Sequence, residues 1–154
     1  MTPIELQQVL VDHLPNVPGI EAAESWPGRP YGLAVTAEDA GTVFWMLTGA
    51  NNTAPAAADD ERLADQPMPD LPGGGKAATA EVEQALLTAL AASAEKDNAV
   101  RAERYSTRPT PPGFRYGMAA DFTDGWRLFA TCVGTARRGE KLADHRHYKP
   151  DETV

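Results

Sequence analysis

The stretch FRYGMAADFTDGWRLFATCV, residues 114–133, decides the fold because it is a β-hairpin whose register can be worked out from its side chains. A two-residue turn would mix polar and apolar side chains on both faces of the hairpin. A three-residue loop, Thr123–Gly125, places Gly125 at the left-handed position that such loops use. It also sets Ala120 opposite Leu128 and makes one face wholly apolar, and this segregation fixes the register. We therefore predict the three-residue loop.

Two amphipathic helices are predicted upstream of this hairpin. The first begins at Thr2, where Thr2 and Glu5 form a capping box around Pro3. Its buried face is predicted to consist of Leu6, Val9, Leu10, His13 and Leu14. The second helix is predicted to run from about Ala80 to about Arg104, with acidic residues at its start and arginines at its end, as the helix dipole favours.

Three shorter segments between the helices are predicted strands, namely 20–26, 31–37 and 43–48. The last is apolar on both faces, which is typical of a central strand. Residues 50–78, with four prolines and three consecutive glycines, are predicted to form a long loop. The chain is therefore predicted to be one α+β domain, residues 1–154, in which two main helices pack on one face of an antiparallel sheet and the tail, 137–154, is frayed.

A possible internal repeat underlies this fold. Tyr31-Gly32-Leu33-Ala34-Val35 is similar to Tyr116-Gly117-Met118-Ala119-Ala120, and each run leads through a loop with Asp and Gly into an aromatic-rich strand. Each pair follows an amphipathic helix, so the chain can be interpreted as two αββ units joined by residues 50–78. The alternative is a chance similarity in a chain rich in alanine and glycine.

The charge of the chain is uneven. The net charge is −8, and residues 1–98 hold 4 basic and 15 acidic residues, whereas residues 99–154 hold 10 basic and 7 acidic ones. The chain has no apolar run long enough to span a membrane, its first residues do not resemble a secretory signal, and Cys132 is the one cysteine. These features favour a cytoplasmic protein.

The sequence contains little evidence for a catalytic site. No serine lies in a GxSxG context, and Cys132 is expected to be an inert core residue. His145 and His147 are two residues apart and could hold a metal on a strand, although no third ligand is in view and solvated side chains are the simpler interpretation. We therefore predict a protein that is not an enzyme and has no cofactor.

The leading hypothesis is a small acidic module that binds another protein in an accessory, chaperone-like or toxin-neutralising role. Acidity favours a basic partner. The expected contact surface is the solvent face of the last hairpin, with Arg115, Arg127 and Phe129 exposed.

Two alternatives remain open at this stage. One is nucleic-acid binding through the basic last third beside Trp126 and Tyr148. Its candidate residues are Arg101, Arg104, Arg108, Arg115, Arg127, Arg137, Arg138, Lys141, Arg146 and Lys149. The other is a metal-dependent enzyme that uses His145 and His147.

Overall fold

The six strands found in the described residues form one antiparallel sheet. The computed structural model describes residues 1–51, 78–109, 113–142 and 150–154. In chain order the elements are α1 Pro3–His13, β1 Ile20–Trp26, β2 Gly32–Ala37, β3 Thr42–Asn51, α2 Thr79–Ala92, β4 Ala99–Arg104, β5 Gly117–Phe122 and β6 Trp126–Ala136. The strand order is β1-β2-β3-β6-β5-β4. The predicted α+β class, with two helices on one face of the sheet, is confirmed.

The core lies between the two helices and one face of the sheet. Alternate side chains of β2 and of the first part of β3 point into it, and Trp45 is completely buried there. The helices contribute Leu6 and Leu10 from α1 and Leu86 from α2, each without exposed surface. This alternation is what a sheet covered on one face requires.

The hairpin of β5 and β6 has the predicted register. Ala120 pairs with Leu128 and Met118 with Ala130. Gly125 has a φ of 88°, the left-handed conformation that the three-residue loop needs.

The first helix is also as predicted at its start. The Thr2 side chain accepts a hydrogen bond from the Glu5 amide, and the Glu5 carboxylate accepts one from the Thr2 amide. Leu6, Leu10 and Leu14 are buried, whereas Val9 and His13 are only partly buried at the margin of the predicted face.

The second helix is shorter than predicted, and the prediction that it reaches Arg104 was wrong. It ends at Ala92, a 3₁₀ turn follows at Ala94–Asp97, and residues 99–104 form β4. Alanine, arginine and glutamate favour helix, but here the strand pairs with β5 and buries Ala99. Tertiary pairing thus overrides local propensity.

The regions predicted to be irregular are only partly described. β3 extends through Asn51 and Ala78 bridges to Thr153, so the predicted loop 50–78 is trimmed at both ends and its remainder lies outside the described residues. The tail, predicted to fray from residue 137, has an attached end. The Thr79 amide donates to the Glu152 carbonyl oxygen over 2.8 Å, and Val154 is 7% exposed.

Among the described residues, each half contains one α-helix followed by three strands, one strand more than in the αββ unit suggested by the sequence. The two halves meet at the central pair β3 and β6. Both edge strands carry a register irregularity at the matching place, between Ile20 and Ala22 in β1 and between Ala99 and Arg101 in β4. Among the described residues, none of the helices has the length and apolar character needed to cross a membrane.

Candidate functional site: the open face of the sheet

The face of the sheet opposite the helices is the candidate site, and we call it the open face. The strand pairings place its side chains in three cross-strand rows in each half. The first-half rows are Trp26-Gly32-Met46, Glu24-Ala34-Phe44 and Ala22-Thr36-Thr42. The second-half rows are Tyr105-Gly117-Thr131, Glu103-Ala119-Phe129 and Arg101-Asp121-Arg127.

A network of ion pairs covers the second half of the open face. The Arg127 guanidinium donates to Glu103 over 3.0 Å and to Asp121 over 3.2 Å. Arg101 donates to the same Asp121 carboxylate over 2.9 Å, and Arg108 donates to Glu103. Because one arginine joins both carboxylates, the five side chains hold one another in place.

Two of these arginines also lie over aromatic rings. The Arg108 guanidinium is 4.5 Å from the centre of the Tyr105 ring, and that of Arg127 is 5.7 Å from the centre of the Phe129 ring. Both distances suit a cation–π contact. Burial raises the pKa of the Tyr105 hydroxyl, against the opposing effect of its hydrogen bond with Thr131, so the phenol stays neutral at ordinary pH.

The first half of the open face is apolar by comparison. The Trp26 and Phe44 rings are in contact, with centroids 5.1 Å apart and planes inclined by 59°. Trp26, Phe44 and Met46 are each partly exposed. Thr36 and Thr42 share a hydroxyl hydrogen bond of 2.9 Å where the second half has the Asp121–Arg127 pair.

A buried carboxylate on the helical side was missed by the sequence analysis. Glu83 has no exposed surface, and its oxygens accept hydrogen bonds from Arg104 Nε at 2.9 Å, the Gly117 amide at 2.8 Å, the Ser106 amide at 3.1 Å and the Ser106 hydroxyl. These donors satisfy both oxygens, so the group ties α2 to β4 and β5. The only sequence signal was an acidic residue near a helix start, and its partner Arg104 had been assigned to that helix.

Cys132 is buried in the core, as expected. Burial raises the pKa of its thiol to about 12, so the thiolate needed for nucleophilic chemistry is not formed near neutral pH.

The structure brings together two of the three predicted contact residues. Arg127 and Phe129 are neighbours on the open face. Arg115 lies away from them, before β5, where it pairs with Glu152 and lies over the Tyr116 ring. His145 and His147 lie outside the described residues. Among the residues that are described, no group of three His, Cys, Asp or Glu side chains is arranged to hold a metal.

The basic residues of the last third are dispersed over the described part of the chain. Arg104 faces the helices and pairs with Glu83, while Arg138 pairs with Glu21 on β1. Arg101, Arg108 and Arg127 belong to the open-face network. These five arginines and Arg115 therefore do not form one continuous patch.

A separate groove of about 340 Å³ runs along α1 and is rich in carboxylates. Its lining includes Glu5, Asp12 and Glu95 together with Val9 and His13. It is a second place at which a basic ligand could be attracted.

The chain shows no significant similarity to known proteins. No protein-family model matches the sequence, and no curated protein and no solved structure gives a significant match.

Proposed function

We propose that this protein is a non-enzymatic module that binds another protein on its open face. The observation that carries the proposal is the grouping of the partly exposed Trp26, Phe44 and Phe129 side chains on one face of the sheet, together with arginines that lie over Phe129 and over the buried Tyr105 ring. Tryptophan, tyrosine and arginine are the residue types that dominate binding energy at protein interfaces. The net charge of −8 favours a basic partner through long-range attraction.

The test is capture of the partner from the native host with the tagged protein and with two matched arginine variants. Arg127→Glu places three carboxylates together on the open face, whereas Arg115→Glu changes an exposed arginine away from it. Capture of a stoichiometric protein by the wild type and Arg115→Glu, but not by folded Arg127→Glu, supports the proposal. Equal capture by all three forms contradicts docking on the open face.

The nucleic-acid alternative is tested on the same material. It requires affinity for DNA or RNA that falls steeply as salt is raised. Absence of binding at low salt would end it. The metal alternative, through His145 and His147, requires stoichiometric metal in the purified protein.

We also propose that the two αβββ halves arose by duplication of one unit. The support is the shared row pattern, the matching irregularities in β1 and β4, and the equivalent contacts of Gln7 and Glu83. Gln7 Nε2 donates to the Gly32 carbonyl over 2.6 Å, and Glu83 accepts from the amide of the matching Gly117.

A further inference from the structure

The two halves of the open face share one row with the same three residue types. In the first half the row is Glu24-Ala34-Phe44, and in the second it is Glu103-Ala119-Phe129. In each row the alanine is buried between the flanking carboxylate and aromatic ring, on strands about 4.8 Å apart, and we call the space between these two side chains the trough. A trough of this kind suits a flat guanidinium, which can lie over the ring while it donates to the carboxylate.

In the second half this trough is filled by the chain's own arginine. Arg127 donates to Glu103 over 3.0 Å, and its guanidinium is 5.7 Å from the centre of the Phe129 ring. Asp121, in the neighbouring row, accepts a hydrogen bond from the same guanidinium. The second half therefore shows how an arginine side chain binds to a row of this kind.

In the first half, the described residues place no arginine at the matching position. The position that matches Arg127 is Thr42, whose hydroxyl is hydrogen-bonded to Thr36. Glu24 is exposed, and none of the ion pairs among the described residues includes it. Phe44 is partly exposed beside Trp26. A carboxylate and an aromatic ring thus flank a row beside which Thr42, and not an arginine, stands at the position of Arg127.

We propose that the row Glu24-Ala34-Phe44 is a subsite for an arginine side chain of a protein partner. The guanidinium lies over Phe44 and donates to Glu24, as Arg127 does over Phe129 toward Glu103. This inference rests on the proposed function and gives the partner a chemistry, a basic segment. The net charge of −8 attracts such a segment from a distance.

The experiment uses N-acetylargininamide as the probe and amide chemical shifts of the full chain as the readout. The neutral citrulline analogue, which has almost the same shape, is the matched control. We expect saturable shifts at Glu24, Ala34 and Phe44 with the arginine probe and none with citrulline. Glu24→Gln should weaken binding about three- to fivefold, the range expected for an exposed ion pair.

The decisive variant is Thr42→Arg, which supplies the arginine from the chain itself. It is expected to fold, since Arg127 occupies the matching position, and to abolish probe binding because its own guanidinium fills the trough. Circular dichroism checks the fold. Probe binding by folded Thr42→Arg equal to that of the wild type would overturn the inference. So would shifts confined to the α1 groove at Glu5, Asp12 and Glu95, or equal shifts with citrulline.

Partner capture separates this inference from the proposed function. If folded Thr42→Arg captures the partner as well as the wild type while Arg127→Glu does not, the open face binds a protein and the arginine subsite is wrong. If the arginine probe binds as expected but no protein is captured, the subsite stands and the proposed function fails. Loss of capture with both variants supports both.

Discussion

Removal of the buried charge of Glu83 should destabilise the fold far more than removal of any exposed carboxylate. In Glu83→Gln the amide oxygen can still accept the Gly117 and Ser106 amides, but the amide NH₂ group faces the Arg104 guanidinium, donor against donor. The Arg104 side chain is only 21% exposed, so in this variant little solvent is available to stabilise its positive charge. Breaking a buried pair in this way costs about 3–5 kcal/mol.

We expect the lower part of that range, about 3 kcal/mol, because Glu83→Gln keeps two of the hydrogen bonds. For a chain of this size such a loss lowers the melting temperature by roughly 6–12 °C. The measurement is urea unfolding, in which the midpoint should fall while the slope stays constant. Glu81→Gln is the matched control on the same helix. Glu81 only accepts the Ala78 amide at the helix start, so we expect a loss of about 1 kcal/mol.

The first half of the chain suggests a second substitution that should compensate for Glu83→Gln. Gln7 and Ser25 stand where Glu83 and Arg104 stand in the second half. The double variant Glu83→Gln with Arg104→Ser should therefore recover part of the loss, because no unpaired cation remains. We expect a coupling free energy of about 2 kcal/mol between the two sites. A Glu83→Gln loss below about 1 kcal/mol, or strictly additive single losses, would refute the interpretation of Glu83 as a buried, charge-paired anchor.

Two further predictions concern the core and the open face. The Cys132 thiol has its pKa raised to about 12 and is therefore almost wholly protonated at pH 8. We expect it to resist iodoacetamide in the folded protein and to react within minutes in urea. Fast labelling of the native form would contradict its burial. Gly117→Ala should cost about 1–3 kcal/mol, since a Cβ there would lie 2.6 Å from the Ala130 carbonyl oxygen and from the Tyr105 ring. The control is Gly113→Ala, because a Cβ at Gly113 would lie within 4 Å of none of the described atoms beyond its chain neighbours. Equal urea midpoints for the two variants would argue against the close approach at Gly117.

The predictable parts of this fold were those fixed by neighbours in sequence. The capping box at Thr2 and the three-residue loop at Thr123–Gly125 each depend on a few consecutive residues, and both are present. β4 was not predictable in the same way, because its sequence, AVRAER, suits a helix that continues from α2. Only pairing with β5 decides in favour of a strand.

The candidate site was harder to predict than the fold because it consists of rows that cross strands. Glu24 and Phe44 are brought to one row by Ala34, and this depends on the register of two hairpins at once. Arg127 and Phe129 were predicted because they lie two residues apart on one strand. Arg115 lies before the strand start, where alternation does not fix the face of a residue, and it pairs with Glu152.

The two halves differ in a way that bears on where the molecule acts. On the helical side, matching positions such as Leu47 and Cys132 stay apolar, because any polar group there would be buried without a partner. On the open face, the charged row Arg101-Asp121-Arg127 is matched by a row of three neutral residues, Ala22-Thr36-Thr42. Packing restricts the apolar core positions, and the helical side differs in charge only where the charge is paired, as Glu83 is with Arg104; the open face is free of this restriction. The Glu-Ala-Phe row has the same residue types in both halves although packing of the core does not require a glutamate there, and this supports the proposed arginine subsite.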